Sequence, residues 1–310
     1  MKKISILVPT YNEEENVDLL YAAIADEFKK NLPKYDYELV FIDNRSVDKT
    51  RDKISEICKK DKNVKAIFNA KNFGQLKSPY YGMLQTTGDC TILICADFQD
   101  PIEMIHKFVA EWEKGYKIVI GIKRPVKENK FFYFMRYSYY KIIKKIASTE
   151  QIEHFTGFGL YDKGFVQVLR DLKDPIPYMR GIVSELGYER KEVIYSQAKR
   201  LHGKTSNNFF SLYDVAMLGI TSYSKTIVRA ATILGFIISA ISLLIGFVFL
   251  ILKLLYWDKF PAGYAPIIIG ISFFGSIQLI FLGLIGEYVL SINTRVMNRP
   301  LVVEEKRINF

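Results

Sequence analysis

The stretch Thr91-Ile-Leu-Ile-Cys-Ala-Asp-Phe-Gln-Asp-Pro-Ile-Glu103 decides how the rest of the chain is read. The run from Thr91 to Ala96 predicts a strand buried on both faces. It stops abruptly at Asp97, Gln99 and Asp100, and Pro101 comes next, a residue suited to the first turn of a helix. Polar side chains at the exit of a buried strand lie on the rim of a sheet, and in open α/β sheets that rim is where ligands bind. Carbonyl and carboxylate oxygens there suit a hard cation, Mg²⁺ or Mn²⁺, with a substrate diphosphate completing its shell. The same residues also read as a plain helix start, with Asp100 capping behind Pro101.

Working outward, strands alternate with helices. Ile4 to Val8 is a predicted strand, followed by the loop Pro9-Thr-Tyr-Asn-Glu-Glu-Glu15 and an amphipathic helix to about Lys30. Tyr37 to Ile42 forms the next strand and ends in Asp43; a helix reaches about Lys60, and Val64 to Phe68 is the third strand. A helix from Asn72-Phe-Gly-Gln75 to about Thr87 leads to the strand at Thr91. A helix over 103–114 and a strand over 117–122 complete the pattern. This alternation predicts a mostly parallel, doubly wound sheet. Right-handed crossovers bring the strand exits, with Tyr11, Glu13, Asp43, Asp97 and Gln99, to one edge. The chain contains neither G-x-G-x-x-G nor G-x-x-x-x-G-K-[ST], which argues against kinase and dehydrogenase chemistry.

The chain has 310 residues, 49% of them hydrophobic, enough for one full α/β domain and a smaller part besides. Cys58, Cys90 and Cys95 are odd in number and lack metal-ligand spacing, which points to a reducing compartment. The first strand comes directly after Met1-Lys-Lys, too early for a signal peptide. A net charge of +10 suits either nucleic acid or anionic lipid. The far end favours lipid: Ala230 to Leu252 and Ala265 to Gly286 carry no charged residue, and each is about the length that spans a ~30 Å hydrocarbon core. Lys225, Arg229, Arg295 and Arg299 flank these two runs and place both chain ends in the cytoplasm. Small residues four apart, Gly235/Ser239 and Ser242/Gly246, let helices approach closely. An isolated hairpin needs packing partners, which a homo-oligomer would supply.

Three further segments carry charge with purpose. Residues 129–148 interleave aromatic and basic side chains; beside two membrane spans they read as an interfacial helix rather than a base-stacking surface for nucleic acid. Residues 209–225 predict a second such helix. The turn Lys199-Arg-Leu-His-Gly-Lys204 is either a solvated loop or a clamp on phosphate oxygens.

Together Ile4-Ser-Ile-Leu-Val-Pro-Thr-Tyr-Asn-Glu13, Asp43-Asn-Arg-Ser-Val-Asp-Lys-Thr50, Ala96-Asp-Phe-Gln-Asp-Pro101, Arg200-Leu-His-Gly-Lys-Thr-Ser206 and the apolar C-terminal runs resemble glycosyltransferase family 2. Within it the chain is similar to the polyprenyl-phosphate glycosyltransferases, the bactoprenol glucosyltransferase and dolichol-phosphate mannose synthase group. The resemblance implies a GT-A, Rossmann-like α/β fold with interfacial helices and a two-helix transmembrane hairpin. It implies transfer of a sugar from a nucleotide-diphosphate donor, UDP-linked by preference, to polyprenyl (undecaprenyl) phosphate, with inversion, at the cytoplasmic face of the membrane. Residues 1–208 would form the catalytic domain, 209–229 a juxtamembrane helix, 230–290 the hairpin (spans 230–252 and 265–287) and 291–310 a cytoplasmic tail.

By the same resemblance Pro9, Tyr11, Glu13 and Asp43 hold the nucleotide, Asp97 and Gln99 the divalent metal, and Arg200 the donor phosphates. Lys123, with Arg124 beside it, Arg136 and Ser138 contact the lipid phosphate, and Lys204 of the basic turn joins them. Asp97, Arg200 and Asp100 are the expected catalytic residues, with Glu153 and His154 as further acid–base candidates. The chain departs from the family in three places: Cys95 stands where the first Asp of Asp-x-Asp is usual, Asn44-Arg45 replaces Asp-Gly in the Asp-Asp-Gly-Ser loop, and Gly157-Phe-Gly159-Leu160 replaces Asp-Phe-Arg-Leu. A catalytically silent nucleotide-sugar-binding protein and a processive polysaccharide synthase are the alternatives; the latter usually carries Gln-x-x-Arg-Trp, which is absent here.

Overall fold

The structure is a computed structural model that describes residues 1–124, 152–202, 214, 217–219, 226–255 and 264–310. Strands β1 (Lys3–Thr10), β2 (Asp36–Asp43), β3 (Val64–Asn69) and β4 (Cys90–Leu93) alternate with helices α1 (Val17–Asn31), α2 (Thr50–Lys60) and α3 (Gly74–Gln85). Then come α4 (Met104–Glu113), β5 (Ile118–Lys123), β6 (Phe155–Asp162), α5 (Lys163–Leu172), α6 (Met179–Glu185) and β7 (Arg190–Tyr195). Two long helices, α7 (Thr226–Leu255) and α8 (Tyr264–Val296), and strand β8 (Glu304–Ile308) end the chain.

The eight strands lie in the order β7-β5-β6-β4-β1-β2-β3-β8. The alternation predicted from sequence is present, and β1 pairs in parallel with both β2 and β4. Strand order therefore reverses at β1, and the crevice beyond the ends of β1 and β4 is the switch point where such sheets bind ligands. Both faces of the central sheet are covered, which is why β1 is largely apolar: Ile4, Ile6 and Val8 join one core cluster and Leu7 the other.

Pattern reading located the first five strands but missed the three beyond them. The sequence pattern assigned no strand between residues 150 and 208, yet they contain β6, which runs antiparallel between β4 and β5, and β7, parallel to β5. The Gly159 position explains how β6 fits: a Cβ there would lie 2.5 Å from the Val119 carbonyl oxygen, so glycine lets the two backbones meet. The C-terminal residues, expected to be a tail, supply β8, antiparallel to β3 at the sheet edge. The strand predicted over Thr91–Ala96 ends at Leu93, and Ile94 makes one more hydrogen bond, to the Leu7 carbonyl at 3.0 Å.

One stretch among the described residues, Phe273–Val296 in α8, is long and apolar enough to cross a membrane. Phe236 and Leu244 on α7 and Ile280 on α8 are exposed, as apolar residues on a lipid-facing helix would be. The end of α8 meets the globular part directly: Arg295 Nη1 donates to Asp174 Oδ1 at 2.7 Å.

Candidate active site

The site is assembled from strand ends. Asp43, the last residue of β2, sits opposite Thr10, the last of β1, and its side chain is fully buried. It accepts from Ser46 N at 3.1 Å, from the Ser46 hydroxyl, and from Thr10 Oγ1 at 3.4 Å. Arg51 Nε lies 3.4 Å from Asp43 Oδ1. Burial pushes the Asp43 carboxyl above its ordinary pKa; the Ser46 hydrogen bonds and Arg51 pull against that rise.

Two loops after β1 and β2 are stitched to each other. Asn12 N donates to Ser46 Oγ at 2.9 Å, Glu13 N to Thr50 Oγ1 at 2.8 Å and Glu14 N to Asp48 Oδ2 at 3.2 Å. Asn12 and Arg45 both adopt positive φ, 57° and 68°, at the tips of these loops. The substitution at Asn44 has its own logic: its Oδ1 accepts from Phe73 N at 2.8 Å and Asn69 Nδ2 at 3.1 Å, tying the loop before α3 to the site. Glu13 accepts from Asn16 Nδ2 at 2.6 Å, and burial raises its pKa, with Asp97 adding to the rise. Tyr11 stands partly exposed at the cleft mouth, and Pro9 is the half-buried residue before Thr10.

The exit of β4 carries the second half of the site. Arg200 Nη2 donates to Asp97 Oδ2 at 2.8 Å, and Gln99 N donates to Asp97 Oδ1 at 3.2 Å. The backbones are latched as well, Ala198 N to Gln99 O at 3.1 Å. Asp100 is not a helix cap: α4 begins at Met104 behind Glu103, and Asp100 Oδ1 instead accepts from Tyr195 Oη at 2.6 Å. Burial raises the Asp100 pKa against the Tyr195 hydrogen bond and the Lys123 charge. Lys123, ending β5, feels Asp100, Cys95 and Asp97, but its burial outweighs them and lowers its pKa.

Arg124 comes next on the exposed side, its N–H bound to the Tyr195 carbonyl at 2.8 Å. Cys95 opens to solvent at the cleft floor yet is walled by protein; that desolvation, then Asp100 and Asp97, push its thiol well up. Glu153 is exposed, and the His154 carbonyl accepts from Lys123 N at 3.3 Å. Arg136, Ser138, Lys204 and the predicted helix over 129–148 lie outside the described residues, as does nearly all of 209–225.

The strand-exit edge thus brings together Glu13, Asp43, Asp97, Gln99, Asp100, Lys123 and Arg200. Tyr195, Ser46, Thr50 and Arg51 were not singled out from sequence. Tyr195 had a weak signal, the end of the short β-favouring run Val193-Ile-Tyr195; the others are ordinary polar residues until the loops are folded. Arg45, which with Asn44 replaces the usual Asp-Gly of this loop, pairs with Glu305 of β8. As a metal site, Asp97 and Gln99 offer hard oxygens but no closed cage: no cluster of three ligating His, Cys, Asp or Glu side chains occurs among the described residues. That donor set fits an ion whose shell is completed by substrate oxygens. A cavity of about 250 Å³ lies at the opposite edge of the sheet, by Gly88 and Arg170, away from these residues.

The glycosyl transferase family 2 model matches residues 5–176. The SfII prophage-derived bactoprenol glucosyl transferase of Shigella flexneri is 32% identical over 314 residues, covering 98% of each chain. The prophage bactoprenol glucosyl transferase homolog of Escherichia coli is 31% identical over 308 residues, covering 96% of this chain and 97% of its own. Among solved structures, mannosyl-3-phosphoglycerate synthase from Rubrobacter xylanophilus matches with a TM-score of 0.50 at 14% identity, covering 76% of this chain and 75% of its own. That last likeness is one of fold alone.

Proposed function

The chain belongs to glycosyl transferase family 2, and on that premise we propose that it moves a sugar from a nucleotide-diphosphate donor to a polyprenyl phosphate at the cytoplasmic membrane face. The observation that carries this reading is the convergence of Asp97, Gln99 and Arg200 beside Lys123 at the switch point of the sheet. Relatives covering nearly the whole chain are named bactoprenol glucosyl transferases, which supports a polyprenyl phosphate acceptor; a UDP-sugar is the donor we favour.

In this reading Glu13 and Asp43 take the nucleoside, with Pro9 and Tyr11 shaping its entry. Asp97 and Gln99 would hold Mg²⁺ or Mn²⁺, which supplies positive charge against the donor diphosphate when bound. Arg200 leaves Asp97 to contact the diphosphate and stabilises the charge that develops as it departs. Lys123 and Arg124 hold the acceptor phosphate.

An alcohol acceptor would need a general base, because its pKa lies far above 7. A phosphate monoester has a second pKa of about 6 and is already a nucleophile at neutral pH. One acceptor oxygen bonds to the anomeric carbon while the bond from that carbon to the diphosphate breaks, and its electron pair leaves with the nucleoside diphosphate. A single displacement of this kind inverts the anomeric centre. Positioning and charge stabilisation then suffice, and Gly157 in place of an acid does not stop the reaction.

The membrane arrangement we favour is a hairpin of spans at 230–252 and 265–287, with residues 1–208 as the catalytic domain and both ends cytoplasmic. The test is transfer from labelled UDP- and GDP-sugars to undecaprenyl phosphate, in detergent with Mn²⁺ and with an EDTA control. A single lipid-linked product is expected; donor binding with no lipid-linked product from any sugar refutes the reading.

A further inference from the structure

The chain leaves α8 at Val296 and returns to the sheet edge as β8, which is held by more than its ladder. Asn309 Nδ2 donates to the carbonyls of Cys58 and Val64, each at 2.7 Å. Arg307 Nη2 donates to Gln85 Oε1 at 2.8 Å, and its guanidinium lies 4.9 Å over the Phe310 ring. These contacts dock the strand. Glu305 has a different set of partners.

Glu305 Oε2 accepts from Arg45 Nη1 and, at 3.0 Å, from Arg51 Nη2. Arg51 lies 5.0 Å over the Phe68 ring and places its Nε 3.4 Å from Asp43 Oδ1. A line of alternating charge, Asp43–Arg51–Glu305–Arg45, therefore runs from the floor of the strand-exit cleft to the C-terminal strand. Arg45 sits in the left-handed region at the tip of the Asp43 loop, a conformation that a non-glycine residue holds only with support.

Removing Glu305 would leave Arg51 with one anion, the buried Asp43 carboxylate, and would release Arg45 to swing over the loop. Both changes bear on how Asp43 presents its oxygens. The Arg45–Glu305 pair is about half exposed, 48% and 45%, so it adds little to stability and its weight lies in geometry.

We infer that Glu305 is a positioning residue for the donor: by holding Arg51 and Arg45 it keeps the Asp43 loop in the shape that takes a nucleoside diphosphate. The C-terminal strand is then part of the donor site, contributed by the segment beyond α8. This rests on the proposed assignment of Asp43 to the donor nucleoside.

The experiment is calorimetric binding of UDP and GDP to the full-length protein in detergent, for wild type, Glu305→Gln and Arg307→Ala. With the tighter of the two nucleotides, Glu305→Gln raises Kd about fivefold, the range of coupling between residues sharing a network. Its donor KM rises in step while kcat, acceptor KM and apparent melting temperature stay at wild-type values. Arg307→Ala, which loosens the docked strand away from the donor loop, lowers the melting temperature and leaves Kd unchanged. Equal Kd in wild type and Glu305→Gln overturns the inference. So does a loss of binding in Arg307→Ala as large as in Glu305→Gln, since that would make strand docking the whole effect. A wild type that binds neither nucleotide overturns the donor reading, and this one with it.

Discussion

Arg200 and Asp97 satisfy each other across 2.8 Å. The cation assigned to the leaving diphosphate and the carboxylate assigned to the metal are thus partners in the fold itself. In the proposed reading a bound donor and metal would draw on both groups, each offering a partner of the sign the residue already prefers.

That pairing makes the two residues energetically coupled. Asp97→Asn and Arg200→Ala each lower kcat/KM for transfer, by about two orders of magnitude, the scale of losing one charge-stabilising group. The double variant falls by much less than the product, because the two share a network. Strict additivity in a double-mutant cycle would show that they act separately.

Cys95 stands where an acid is usual in the family, and its raised thiol pKa keeps it protonated, a poor partner for a hard cation. Cys95→Asp lowers the Mn²⁺ concentration for half-maximal transfer by about tenfold, since ligand charge sets affinity for such ions. Cys95→Ser leaves it within about twofold. A metal titration of activity decides, and no difference between the two variants would remove Cys95 from the metal's surroundings.

If the acceptor phosphate is its own nucleophile, its ionisation sets the acid limb of the reaction. Transfer falls below pH ~6 as the phosphate takes up its second proton. Asp100→Asn, which still offers Tyr195 an acceptor oxygen, keeps that limb in place. A limb that vanishes in Asp100→Asn would make Asp100 the base instead.

Glu38 predicts the acid stability of the domain. Burial alone would raise its pKa, but hydrogen bonds from Lys65, Ser5 and Thr87 overcome that and hold it at about 2, below the ordinary 4.5. A folded-state pKa below the unfolded one gives stability that is complete above pH 4.5 and is lost as pH falls towards 2. At neutral pH this amounts to on the order of 3 kcal/mol. Glu38→Gln is less stable at pH 7 and loses less on acidification, which melting temperatures across pH 3–7 would reveal; parallel curves for the two proteins would refute it.

Gly159→Ala places a methyl 2.5 Å from the Val119 carbonyl oxygen, in the middle of a paired strand. Relief requires backbone movement, and overpacking of this kind costs about 1–3 kcal/mol. The apparent melting temperature drops, and an arginine at the same position is worse. An unchanged melting temperature would mean that β5 and β6 are less closely apposed than their register implies.

The parallel half of the sheet, and the edge on which the site lies, are legible in the local pattern of residues. Period and apolar run length report local burial, and Asp43 and Asp97 are legible because each interrupts such a run. The expectation of an interfacial helix over 129–148 rests on the sequence alone, since those residues lie outside the described ones. Which residues meet is a matter of the folded chain: Tyr195 reaches Asp100 across 95 positions, Arg200 reaches Asp97 across 103, and Glu305 reaches Arg45 across 260. No local pattern encodes those partners. They come from strand order, with β6 inserted antiparallel and β7 and β8 at the two sheet edges, and that order is set by long-range backbone pairing rather than by the period of any one segment.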